Sequence, residues 1–408
     1  MRLHRGTLMP ETIPLVVGSE PWSLTVPADR AVHVRRASFV PPSAGAAELV
    51  RAALERPFKF EPLRRALTPD DRVAVVIDPR LPHLTEMLAE VLSHIGSAGV
   101  PLAAVTVVSP PGAPQPWIDD LPEEFEDITA ETHDPDDVQK LMYVATTKGG
   151  RRVYLNRRVA EADFVVVLAG RRYDPHTGYA GAEAALFPAL SNAETLAAFA
   201  DRFSSAAPDG NRETEAAEVA WLLGAPFFVQ VIEGEAGTVH GVVGGLFESG
   251  AEGIRQQDAR WRGAISEEVD TVIAAVSGEP DAITFLDLAQ AAATAARAVK
   301  KGGRIALLTT AAPELGPGAE LLRKLEGPTG AKKLLANEKP SDWAAASLWV
   351  YAAKSASMFF ASGYPEDVAE ELFCTPIYTR SEAQRLIDTG TGTVLLIPDA
   401  HRAMITVD

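Results

Sequence analysis

Residues 164–168, Phe-Val-Val-Val-Leu, form a short apolar run rich in β-branched side chains, and no other feature constrains the fold of this chain more. A run of this length and composition reads as a strand buried on both faces, as found in parallel sheets covered by helices on either side. A turn-forming stretch, 170–181, follows and carries His176, and an Ala-rich helical pattern comes next. Ligands of open α/β sheets bind beyond the carboxyl ends of the strands, so His176 and the Gly178/Gly181 loop lie where a site is expected.

The same alternation recurs along the chain. Residues 72–77 read as a strand, followed by Asp78-Pro79-Arg80-Leu81-Pro82, an amphipathic helix over about 83–96 and a second strand over 103–108. That order is a βαβ unit with a right-handed crossover. Residues 1–40 read as short strands, with runs at 13–17 and 22–26, and 44–67 as a helix ended by Pro57 and a loop. A helix over 214–223 and a strand over 227–232 follow, with the glycines of 241–250 read as a turn after that strand and 250–268 as a helix leading out of the first domain. Beyond it come a strand over 270–276, a helix over 287–300 stopped by Gly302-Gly303, a strand over 304–309, a helix over 341–353, and strands over 357–361 and 393–398. The pattern predicts two α/β domains with mostly parallel sheets and an interdomain cleft, divided into 1–265 and 266–408.

A length of 408 residues exceeds what one ordinary core organises, which agrees with two domains. The formal charge of −17 argues against a nucleic-acid backbone or an anionic membrane surface as the main partner, since both demand basic patches. Cys374 is the only cysteine, so neither an internal disulfide nor a multi-cysteine metal site can form. With no leader pattern and no apolar run of about 20 residues, the expectation is a soluble cytoplasmic protein. The strand at 72–77 runs into Asp78-Pro79-Arg80 where a dinucleotide-binding turn needs glycines, which argues against a nicotinamide or flavin enzyme. On residue chemistry alone the acidic connection 122–137, which contains His133-Asp134, fits either a metal site or a solvated loop; we read the pair as structural, with Asp134 holding turn amides.

The order Pro175-His176, Gly178-Tyr179-Ala180-Gly181, Phe187-Pro188 and Glu194-Thr195 resembles the signature segment of the nickel-pincer lactate racemase family. The resemblance extends from about Val73 to the C-terminus and takes in Asp78 and Pro82, Thr146-Thr147 with Gly149-Gly150, and Gly210-Asn211. It implies a lactate racemase-like fold and an ancestry among 2-hydroxy-acid racemases and epimerases. In that family a Lys tethers the nickel-pincer cofactor, a His ligates nickel and paired histidines exchange the hydroxyl proton. Here the tethering Lys falls on Ala184 and the nickel-ligating His on Ala200, while Ser109-Pro110-Pro111-Gly112 replaces the loop of the second proton-transfer His.

Carried over residue by residue, the resemblance assigns His176 as the surviving proton-transfer residue and Asp78, Arg80 and Trp343 as substrate contacts. Each also has a purely structural reading: His176 as a loop residue bonded to backbone, Arg80 as a salt-bridge partner, Trp343 as core. The reading carried forward is a lactate racemase-like protein that binds a small hydroxy-carboxylate without nickel-pincer hydride transfer. The alternatives are an active 2-hydroxy-acid racemase or epimerase with its cofactor held elsewhere, Lys148 being one conceivable anchor, and a non-enzymatic interaction protein.

Overall fold

The computed structural model describes residues 9–37, 40, 42–112, 116–174, 178–205 and 213–408. The chain forms two compact units, one made of 39–260 and the other of the described residues before 39 together with Trp261–Asp408. Both are α/β, and most of their strands run parallel.

In the 39–260 unit a six-stranded sheet runs, edge to edge, Val239–Gly245, Phe227–Glu233, Phe164–Gly170, Val73–Ile77, Val105–Ser109 and Thr129–Thr132. All neighbours are parallel except the first pair. Every residue of Val73–Ile77 is buried, because successive side chains serve opposite faces. Val73, Val75 and Ile77 pack with Val50 and Leu54 of the helix Ala46–Glu55 and with Met87, Leu88 and Val91 of the helix Leu84–Gly96. Ala74 and Val76 pack on the other side with Val159, Leu186 and Ala220. Full burial of each such Val or Ile contributes about 1.5–3 kcal/mol, which makes this run the centre of the unit.

The chain winds outward from Val73–Ile77 through Val105–Ser109 to Thr129–Thr132, then returns to place Phe164–Gly170 on the opposite side of Val73–Ile77. The winding direction therefore reverses between Val73–Ile77 and Phe164–Gly170. Such a reversal opens a crevice at the carboxyl ends of the two strands.

The second unit has its own six-stranded parallel sheet, in the order Cys374–Pro376, Ser357–Ala361, Val299–Leu308, Val269–Ala275, Val394–Ile397 and Ala31–Val32. The helices Phe285–Ala298 and Trp343–Ser355 pack together on one face, where Trp349 stacks at 5.2 Å from Phe285 and 5.4 Å from Phe360. The other face is covered by the helix Arg380–Asp388 and by an antiparallel hairpin, Glu11–Val17 with Glu20–Val26. Leu15, Val17, Leu24 and Val26 of that hairpin share a core with Ile273, Ala306, Leu308 and Ile387. At the hairpin turn Gly18 donates to Val276 at 2.9 Å and accepts from Gly278 at 3.0 Å.

The division of the chain thus differs from 1–265 and 266–408. The first residues supply an edge strand and a covering hairpin to the C-terminal sheet, and the change of unit falls at Trp261, before the short strand Arg262–Ile265. Two local readings also change. The glycines of 241–250 lie mostly in a strand, Val239–Gly245, that closes the first sheet edge by antiparallel pairing. Gly302-Gly303 do not stop a helix: the helix ends at Ala298 and both glycines lie inside the strand Val299–Leu308, where the pairing with Val269–Ala275 shifts register. Among the described residues no helix is long and apolar enough to cross a membrane.

Candidate functional site

Three neighbouring strands of the 39–260 unit end in charged residues that meet above the sheet. The strand Val73–Ile77 is followed by Asp78, whose amide donates to Leu168 at 2.9 Å and so extends the ladder by one residue. The strand Phe164–Gly170 is followed by Arg171 and Arg172, and Phe227–Glu233 ends in Glu233 itself. Asp78 and Glu233 are both buried, on the strands flanking the one that carries Arg172.

Arg172 spans the gap between them. Its Nη1 bonds to Asp78 Oδ2, and its Nε and Nη2 each lie 2.5 Å from Glu233 Oε1. The other Asp78 oxygen, Oδ1, accepts the Arg80 amide at 3.1 Å and faces Arg80 Nε at 3.4 Å. Burial by itself raises the Asp78 pKa, but the charges of Arg172 and then of Arg80 outweigh it and hold the carboxyl well below the usual range, so it is an anion. Arg80 is about half exposed, with its Nε 3.4 Å from Asp78 Oδ1. A guanidinium edge matches a carboxylate through two parallel hydrogen bonds.

The residue before Arg172 belongs to a second charged pair. Arg171 and Glu183 are both buried, with Nη2 3.2 Å from Oε2. Arg171 Nε also donates to Gln230 Oε1 at 3.0 Å, and Gln230 Nε2 donates to Ser249 Oγ at 2.7 Å. Gly181 makes room for the pair, since a Cβ there would lie 2.0 Å from Arg171 Nη1. Glu183 sits in the short helix Ala182–Leu186, so the pair ties that helix to the end of the central strand. Tyr173 adds a further link, donating to Asp258 Oδ1 at 2.5 Å.

His133 is buried between elements and not in the crevice. Its Nε2 is 2.8 Å from the Ser191 carbonyl and its Nδ1 3.4 Å from Asn156 Nδ2, an arrangement satisfied by the neutral ring with the proton on Nε2. Burial lowers its pKa and agrees with that form. Asp134 Oδ1 accepts the Asp136 amide at 3.0 Å, which is the turn-holding role read from the sequence.

Of the residues singled out from the sequence, Asp78 and Arg80 come together at the winding reversal. His176 lies outside the described residues, while Gly178–Ala180 beyond it pairs with Arg172–Asp174. Trp343 belongs to the other unit, where it is 7% exposed at the start of the helix Trp343–Ser355. Lys148 is exposed in a hairpin turn, its amide donating to Glu218 at 2.7 Å. Ala184 lies on the helix Ala182–Leu186 and Ala200 on Ala193–Ser205. A methyl side chain can neither form a covalent tether nor ligate a metal, so neither alanine could serve those roles.

Sequence reading missed Arg172 and Glu233. Each is among the first charged residues after an apolar strand run, as Asp78 is, and that position was the available signal.

Comparison with known proteins agrees with the architecture. Residues 17–207 match the family model described as the lactate racemase N-terminal domain. The structure of the lactate racemase apoprotein from Thermoanaerobacterium thermosaccharolyticum is similar at 16% identity and a TM-score of 0.79, covering 97% of this chain and 100% of that one. A structural-genomics protein from Thermotoga maritima is similar at 12% identity and a TM-score of 0.66, covering 91% of this chain and 100% of that one. No curated protein matches the sequence significantly. At these identities the structural likeness speaks for the fold.

Proposed function

We propose, for a chain whose residues 17–207 belong to the lactate racemase N-terminal domain family, that the crevice at Asp78 and Arg80 binds a small hydroxy-carboxylate and does not carry nickel-pincer hydride transfer. The observation that supports this reading is the half-exposed Arg80 guanidinium, oriented by a buried carboxylate at the winding reversal of the sheet. The second half of the reading rests on Ala184 and Ala200, whose side chains offer neither a tether nor a ligand.

Calorimetric titration with D- and L-lactate, together with intact mass and nickel content after expression in a host that makes the pincer cofactor, tests both halves. Lactate binding that Arg80→Gln weakens roughly tenfold or more, by loss of a charge-assisted bidentate contact, supports the site. An unmodified, nickel-free chain supports the absence of the pincer. Stoichiometric nickel with an added mass overturns that half and restores the active racemase or epimerase. A wild-type chain that binds no hydroxy-carboxylate overturns the first half in favour of a non-enzymatic interaction protein.

A further inference from the structure

We infer that Arg172 is the positioning residue of this crevice: it fixes the Asp78 carboxylate, and Asp78 in turn sets the direction in which Arg80 points. The inference rests on the carboxylate-binding reading above. Asp78 is divided between two partners, one oxygen taken by Arg172 Nη1 and the other by the amide and Nε of Arg80. With one oxygen anchored, the plane of the carboxylate is set, and so is the acceptor that Arg80 meets.

Arg172 is itself held. Its Nε and Nη2 are 2.5 Å from Glu233 Oε1, and its guanidinium folds back over Gly170, where a Cβ would lie 2.7 Å from Cζ. Removing Arg172 would leave Asp78 and Glu233 buried without the cation they share. A buried carboxylate in that position takes up a proton or turns toward water. Either response withdraws the acceptor from Arg80.

The test compares lactate binding by the full chain and by Arg172→Gln, Arg172→Lys, Arg80→Gln and the double Arg172→Gln/Arg80→Gln, with amide hydrogen exchange on each. A residue that acts only through another gives non-additive losses. Arg172→Gln is therefore expected to weaken lactate binding about tenfold, with the double variant no weaker than Arg80→Gln alone. Arg172→Lys, a point charge without a fork, should recover part of the loss and provides the second variant if Arg172→Gln folds poorly. Losses that multiply would mean that Arg172 touches the ligand itself, and the inference would fall.

Exchange provides a readout that needs no ligand. The Arg80 amide should exchange about tenfold faster in Arg172→Gln while the amides of Val73–Ile77 stay protected, a local opening and not a global one. If wild type binds no lactate, the carboxylate reading fails, and an accelerated Arg80 amide still supports the positioning role. An unchanged Arg80 amide overturns the positioning role whether or not lactate binds.

Discussion

Arg171 and Glu183 face each other 3.2 Å apart with neither side chain open to solvent. A buried pair contributes little net stability while intact but is costly to break, because the surviving charge is left without a partner. Glu183→Ala is therefore expected to destabilise the protein by about 3–5 kcal/mol, read as a shift of the urea midpoint. A loss below about 1 kcal/mol would mean that the guanidinium's remaining partners, Gln230 among them, satisfy it.

Gly181 is required by the same pair. A side chain there would meet Arg171 Nη1 at 2.0 Å and Glu183 Oε2 at 2.6 Å, and neither group has open space to retreat into. Gly181→Ala should cost about 1–3 kcal/mol or more by overpacking, and the urea midpoint of Gly181→Ala against wild type measures it.

Three histidines set the acid side of the stability curve. Burial lowers the pKa of His133 and of His94, and burial followed by the charge of Arg260 takes His240 down to about 4. In each case the folded protein binds the proton more weakly than the unfolded chain, whose histidines titrate near 6.5. Their contribution is fully present above about pH 6.5 and is lost progressively as the pH falls through that value toward the folded pKa. The melting temperature should thus begin to fall below about pH 6.5, before the carboxylates titrate. Replacing His133 by Gln should flatten the part of the slope that His133 contributes; an identical pH profile for His133→Gln would refute this assignment.

Gly18 stands at φ +59°, and a Cβ on it would lie 1.8 Å from Thr310 Oγ1. Gly18→Ala combines a left-handed backbone cost of about 1–2 kcal/mol with a steric clash. Adding Thr310→Ala removes the 1.8 Å contact and should recover part of the steric loss, while the approach to residue 310 Cβ, 2.9 Å, and the backbone cost stay. Equal melting temperatures for the single and double variants would contradict that division.

Cys374 is the chain's one thiol, and burial pushes its pKa far up. A disulfide exchange reagent should find no reactive thiol in the native protein and one per chain in denaturant. Rapid labelling of the native state would show that the Cys374–Pro376 edge of the second sheet opens.

Much of the fold was legible because the strands are buried on both faces and read as unbroken apolar runs. Val73–Ile77 and Phe164–Gly170 lie within a residue or two of where the sequence put them. The site was legible only in part. Asp78 and Arg80 stand together in sequence, but Arg172 is 94 residues from Asp78 and 61 from Glu233, and only the sheet order brings the three into contact. The edge strand Val239–Gly245 was lost because its glycines signal a turn more strongly than its valines signal a strand. The partnership of the first residues with the last was lost for a different reason: local periodicity carries no information about which sheet a hairpin will cover.

That partnership orders events during synthesis. The hairpin Glu11–Val17 with Glu20–Val26 is made before the strands it covers, and the sheet face that buries Leu15, Val17, Leu24 and Val26 is complete only once Val394–Ile397 has been made. The 39–260 unit can fold meanwhile, since domains close as soon as their own strands are available. The apolar side of the hairpin must wait exposed until Val394–Ile397 is made, a window in which a holdase or premature self-association would act on the nascent protein before the sheet it covers exists.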